Sequence, residues 1–414
     1  MRGCGYVSTL WPLVSLTTFR VRPTKERSAR VPETSALPSE VFSTDSIATR
    51  TPLVRVNSMN SDSVPCNPWL LRKQYAWATD GFFMSLFDII CMVDWNDQRV
   101  LITGGLGFAG SNLARRMLDE GADVVLLDTV REEKLLTVED IRDDVEIADV
   151  DVREEEPIRN YVSEADTVYH LAAKSSRPAA NEEPRKNLQI NCGGPLNVLE
   201  SAADLGNPPR VVYVSSLATL GNVPGTIDES TEPKPVDMYG IHKRTVEDYC
   251  QLYTRLKDVP TTVVRPANLY GPRAPLHDTG YGIINQFVGD ALRDESLSVF
   301  EPSDLRDFLF IEDMVDALTH IGQDDRAIGE KYVLGTGESR TMKQAAELVT
   351  DTAGGGSLEL VPWTETWQGI RRGDVVIDPS KIEEQLGWST SVDLEEGLEK
   401  TVDFYKSNRE KYLD

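Results

Sequence analysis

A tyrosine and a lysine four positions apart, Tyr239 and Lys243 in the run Asp237-Met-Tyr-Gly-Ile-His-Lys, are the residues of this 414-residue chain best suited to chemistry. One helical turn puts i and i+4 on the same face. A phenol and an ammonium so placed can share one bound molecule, the phenol moving a proton while a redox cofactor moves a hydride. The spacing recurs at Tyr253 and Lys257, where the surroundings read as the end of a plain amphipathic helix. A free tyrosine ionises near pH ~10, too high for a base at neutral pH. A neighbouring ammonium and a positively charged cofactor ring favour the phenolate, while burial opposes it. Charge is therefore expected to outweigh desolvation at Tyr239.

Upstream lies a pattern able to hold such a cofactor. Val100–Thr103 reads as a short buried strand, Gly104-Gly-Leu-Gly107-Phe108-Ala109-Gly110 as a turn, Ser111–Glu120 as a helix ended by Gly121, and Val124–Asp128 as the next strand. In this arrangement Gly104 makes the tight turn, Gly107 lets the backbone approach a pyrophosphate, and Gly110 permits close helix packing. The helix N-terminus supplies amide donors to the anion. Asp128 ends the second strand, where a carboxylate accepts both hydroxyls of an adenosine ribose and repels a 2′-phosphate, so NAD is preferred to NADP. Arg131, three residues on, argues the other way. Alternation continues through a strand leading to Asp151-Val-Arg-Glu154, then Thr167–Ala173, a helix over Leu188–Leu205, and Arg210–Ser215. The fold class is α/β: a Rossmann-type doubly wound parallel sheet, with a smaller C-terminal substrate-binding α/β domain.

Composition sets the limits. A formal charge of −24 with no basic stripe excludes nucleic acid as a partner. Five scattered cysteines (Cys4, Cys66, Cys91, Cys192, Cys250), without Cys-x-x-Cys or a suitable histidine spacing, point to reduced thiols and no metal. The apolar patch over 81–93 contains Asp88 and is too short to span a bilayer. Residues 1–91 hold 10 basic and 7 acidic residues, whereas 92–414 hold 33 and 60. With Trp11, Trp69 and Trp77 in an aperiodic, Ser/Thr/Arg/Pro-rich setting, residues 1–91 read as an extension outside the native enzyme, with a targeting segment or a disordered tail as alternatives. Met92 then resembles a natural start. Residues 92–265 form the cofactor domain; 266–414 form mainly the substrate domain, with segments returning to the first. The acidic excess resembles proteins of high-salt cytoplasms, whose stability rises with salt.

Residues 97–409 resemble the extended short-chain dehydrogenase/reductase family, in its NAD-dependent sugar-nucleotide epimerase/dehydratase branch. The resemblance implies that Asp151 and Val152 lie at the adenine, that Leu171, Ala172, Ala173 and Lys174 line the nicotinamide half, and that Asn191 borders the site. In Val212-Tyr-Val-Ser-Ser216-Leu-Ala-Thr-Leu-Gly221 the catalytic hydroxyl falls on Ser216 when counted back from Gly221; aligning on Ala218-Thr219 puts Leu217 there instead. Ser216 precedes Tyr239 by 23 residues, a spacing that suits the family and selects Tyr239 and Lys243 over the later pair. Asn268 matches a substrate-contacting position, and Arg306 and Arg372 match arginines that clamp a nucleotide diphosphate with their planar forks. His242 lies beside the catalytic pair but is read as pointing off its face. Dehydratases and decarboxylases of the branch carry acids just after the Ser/Thr; here those places are Leu217 and Ala218. The expected activity is therefore 4-epimerisation of a nucleotide sugar, a UDP-sugar, by a cytoplasmic homodimer. The alternatives are a net dehydrogenase or reductase of a secondary alcohol, similar to hydroxysteroid- and flavonol-type relatives, and a non-catalytic NAD-binding sensor.

Overall fold

Short runs of β-branched and aliphatic residues, separated by helical stretches, build seven parallel strands into one sheet. The computed structural model describes residues 95, 96, 98–276 and 282–413. The readings for residues 1–91, and for a start at Met92, lie outside the described residues. In chain order the strands are β1 (Arg99–Thr103), β2 (Asp123–Asp128), β3 (Glu146–Asp149), β4 (Thr167–His170), β5 (Arg210–Val214), β6 (Thr226–Ile227), β7 (Thr261–Pro266), β8 (Asn268–Tyr270), β9 (Ser296–Glu301), β10 (Leu305–Phe310), β11 (Lys331–Leu334), β12 (Ser339–Thr341), β13 (Ser357–Pro362) and β14 (Val376–Ile377). The main sheet has the order β11-β7-β5-β4-β1-β2-β3. Its order reverses between β1 and β4, the crevice where sheets of this class bind ligands at the carboxyl ends of the strands. Small sheets β12-β10-β8, β13-β9 and β14-β6 lie outside it, while β11, late in the chain, joins the main sheet beside β7.

Both faces of the sheet are covered, and the two-residue strand period divides the core accordingly. Val100, Ile102, Val124, Leu126, Val212 and Val264 belong to one buried cluster, with Leu101, Val125, Leu127, Val211 and Val263 in the other. Helix α1 (Phe108–Asp119) begins three residues earlier than the sequence reading, at the N-cap Gly107, and Gly121 follows it at φ +89°. The single helix expected over Leu188–Leu205 is instead Pro184–Leu188, a wider turn over Gln189–Gly193, and Gly194–Ala203. The Gly193-Gly194-Pro195 run accounts for the break, since proline lacks the N–H that would continue the ladder. A short helix, α2 (Arg177–Glu182), precedes it; α3 (Met238–Lys257) carries Tyr239 and Lys243. Among the described residues no helix is long and apolar enough to cross a membrane.

Helix α3 is fastened to the sheet by a buried ion pair. Glu247, one turn beyond Lys243, accepts from Ser215 Oγ (2.6 Å) and Arg265 Nε (2.8 Å) on one oxygen, and from Arg265 on the other (2.5 Å). Lys331 approaches to 3.4 Å. Burial works against the carboxylate, yet Arg265 and Ser215 hold it below its ordinary value. These partners lie on β7, on β11 and just after β5, so one carboxylate joins three strands to the helix. Glu247→Ala leaves Arg265 buried without its partner and is expected to cost about 3–5 kcal/mol in urea unfolding, while Glu247→Leu with Arg265→Met restores most of it. A single variant as stable as the double one contradicts the role.

Candidate active site

The glycine turn at the end of β1 is shaped for close backbone approach. Gly104 has φ +71°, and a Cβ there would stand 2.8 Å from Ala172 N. At Gly110 a Cβ would meet Gly104 O at 2.3 Å, so only glycine lets α1 pack against the turn. Gly107 caps α1 with no side-chain bond, and the first turn contains no acid. The amides of Phe108, Ala109 and Gly110 therefore face the helix mouth without carbonyl partners of the helix, the arrangement that holds a pyrophosphate. Asp128, at the end of β2, is buried against this turn: it accepts from Leu106 N (3.1 Å) and from Lys134 Nζ (2.6 Å). Lys134, rather than the exposed Arg131, is the cation on Asp128. Asp151 borders a cavity of about 450 Å³ with Arg153, Glu154, Gln189, Gly193 and Asn197. Val152 is buried beneath Gly194.

At the end of β4, Leu171, Ala172, Ala173 and Lys174 run past Gly104. Lys174 turns its side chain outward to Glu183 (2.7 Å). Its backbone is pinned from behind. Asn191 Oδ1 accepts from Lys174 N (2.8 Å), and Asn191 Nδ2 donates to Lys174 O (3.0 Å) and to Asn187 Oδ1 (3.0 Å). Asn187 in turn bonds Lys174 O and the His242 ring (2.7 Å). Asn191 is fully buried and holds the segment through its backbone, and His242 is buried in the same network.

Ser216, Tyr239 and Lys243 come together beside this segment. Ser216 lies near enough to the Tyr239 hydroxyl to favour its ionisation, and its Oγ accepts from Ala218 N (3.1 Å). Leu217 and Ala218 are buried apolar packing, and Ala218 sits with Ala180 against Tyr239. Lys243 Nζ donates to Val214 O (2.7 Å), 5.9 Å from the Tyr239 ring centre and 4.7 Å from that of Tyr213. Tyr253 and Lys257 lie at the far end of α3, about four turns away. Among the protein's own groups, desolvation outweighs charge at Tyr239. Burial pushes Tyr239 up to about 12; Ser216 opposes, Asp237 adds to the rise, and Arg372 and Arg177 pull down. Burial also lowers Lys243 to about 8.

On the substrate side, Arg306 is largely committed to backbone. It donates to Leu305 O (2.7 Å) and Gly373 O (2.6 Å) and lies 3.4 Å from Asp304. Arg371 pairs with Asp304 and lies over Trp363. Arg372 differs: its buried Nε bonds to nothing, and burial, with Arg306 and Arg177 close by, lowers it to about 9. A buried guanidinium nitrogen left unbonded, beside two other arginines and one carboxylate, is suited to an anion. Asn268, half-buried on β8, pairs in register with Phe308.

The profile of the NAD dependent epimerase/dehydratase family matches residues 100–335. The chain belongs to that family. It is 29% identical over 321 residues to the UDP-glucose 4-epimerase of Mycolicibacterium smegmatis, covering 75% of this chain and 99% of that protein. It is also 30% identical over 323 residues to UDP-glucuronic acid decarboxylase 1 of Danio rerio, covering 76% and 74%. The crystal structure of Thermus thermophilus UDP-glucose 4-epimerase in complex with NAD superposes with a TM-score of 0.67 at 26% identity, covering 74% of this chain and 99% of that one. The cofactor of this epimerase/dehydratase family member is NAD.

The lowered Lys243 carries a stability consequence. Its folded value lies below that of the unfolded chain, so the folded protein is penalised while both forms are charged, and the penalty fades as pH rises from about 8 through the unfolded value. Lys243→Met should therefore raise the melting temperature of the NAD-free protein at pH 7 by the equivalent of about 1–3 kcal/mol, a gain that shrinks toward pH 10.5, while turnover is lost. A variant less stable than wild type at pH 7 contradicts this.

Proposed function

We propose that this chain is a nucleotide-sugar 4-epimerase acting on a UDP-sugar through a 4-keto intermediate. Bound NAD supplies the hydride acceptor and then the donor, so none is consumed. Ser216 orients the 4-hydroxyl toward Tyr239, which takes its proton during oxidation and returns one during reduction. Lys243 holds positive charge under the cofactor side of the phenol. Arg372, assisted by Arg306, binds the diphosphate, an anchor about which the keto sugar turns to present its other face.

One observation carries the choice among family reactions. Directly beyond Ser216, where the resemblance places the acids of dehydratases and decarboxylases, Leu217 and Ala218 are buried apolar residues. Two copies are expected to pair through α3, where Met238, Ile241, Leu252 and Leu256 are 40%, 43%, 38% and 62% exposed along one side of the helix.

The NAD-loaded protein should interconvert UDP-glucose and UDP-galactose with no net NADH. Tyr239→Phe should lower turnover by roughly 10²–10⁴ with cofactor binding retained, and Tyr253→Phe should leave turnover nearly intact. Arg372→Met should weaken UDP-sugar binding far more than NAD binding. Steady NADH accumulation, or carbon dioxide release from UDP-glucuronate, contradicts the epimerase reading.

A further inference from the structure

Arg177 stands where three parts of the site meet. It opens α2, directly after the 171–174 segment, and is 16% exposed. Its Nε donates to Asp237 Oδ2 at 2.6 Å, and another nitrogen donates to Ile370 O at 2.5 Å, two residues before Arg372. Asp237 is fully buried and caps α3, accepting from Gly240 N at 2.8 Å. Met238 N donates to Asn181 Oδ1 (3.0 Å), a second bond to α2 at the same helix start, and Ala180 packs on Tyr239 itself. One guanidinium thus spans the nicotinamide-side segment, the cap of the Tyr239 helix and the loop that carries Arg372.

The charges around the phenol give this geometry a chemical consequence. Tyr239 faces Ser216 from beyond β5, Tyr213 from β5 itself, Asp237 and Lys243 from its own helix, Arg372 from the substrate loop and Arg177 from α2. Asp237 is the anion in this group. Left alone, a buried carboxylate two residues from the tyrosine disfavours the phenolate.

We propose that Arg177 is a positioning residue for the reaction: it locks the Tyr239 helix to the Arg372 loop and cancels the charge of Asp237 beside the phenol. This rests on the reading of Tyr239 as the proton carrier. Asp237 serves as helix cap and Arg177 confines its negative charge, so the cap is kept without penalising the base.

The test is the pH profile of kcat for the NAD-loaded enzyme with UDP-glucose. Arg177→Met should move the acid-side limb up by about one pH unit, the scale of one nearby charge, so turnover at pH 7 falls roughly tenfold and recovers in alkali. Because Arg177 does not bind the diphosphate, KM should change far less than in Arg372→Met. Arg177→Met with Asp237→Asn keeps a capping side chain and removes the charge, and should bring the limb back. Arg177→Lys keeps the charge without the fork; should Arg177→Met fail to fold, Arg177→Lys should leave the limb at the wild-type position with kcat lowered a few-fold, and adding Asp237→Asn should move the limb down, since the cation then stands without its anion, an unmoved limb in that double variant overturning the inference. An unmoved limb in folded Arg177→Met, or a double variant as displaced as the single, overturns the inference while Tyr239 stands. Full turnover in Tyr239→Phe removes the reading beneath it and the inference together.

Discussion

Burial of a phenol and an ammonium side by side is the constraint on which the rest of the site depends. Taking Tyr239 out of water raises it to about 12, and taking Lys243 out of water lowers it to about 8. Each shift disfavours the form that the chemistry uses. A working base therefore needs positive charge delivered into the site; in the proposed function bound NAD brings it, and the arginines at 177 and 372 already pull the phenol down.

The fold supplies the rigidity that this arrangement requires. Parallel strands end at a common edge, and the reversal of strand order between β1 and β4 opens the crevice there. Glu247 clamps α3 to three strands, and the carbonyl of Val214 fixes Lys243. Asn187 and Asn191 hold the 171–174 segment by the backbone of Lys174, and His242 backs Asn187. Each of these groups acts on another residue, so the side chains facing the ligand space are left few and oriented.

Local signals made much of this legible in the sequence. A strand, a glycine triplet and an acid at the next strand end identify the cofactor seat because each residue type there answers a short-range steric or electrostatic need. Gly110 is the plainest case, where any Cβ collides with Gly104 O. Long-range pairings were not legible. Arg177 and Asp237 are 60 residues apart, and no spacing rule announces that they meet. His242 and Asn187 escaped for the same reason, and Arg306 looked like a free clamp because the carbonyl of Gly373 carries no side-chain signature. The sign of the Tyr239 shift also needed the structure, since it depends on how completely the ring is buried.

The central claim is that cofactor charge converts a buried, reluctant phenol into a base. Ionisation of Tyr239, followed by NMR of ring-labelled tyrosine and assigned with Tyr239→Phe, tests it most directly in protein stripped of NAD and reloaded with it. The account predicts ionisation above the ordinary tyrosine value of about 10 without NAD, and a fall of at least about one pH unit once the oxidised cofactor is bound. The same value in both states, or a value already near neutrality without NAD, contradicts it.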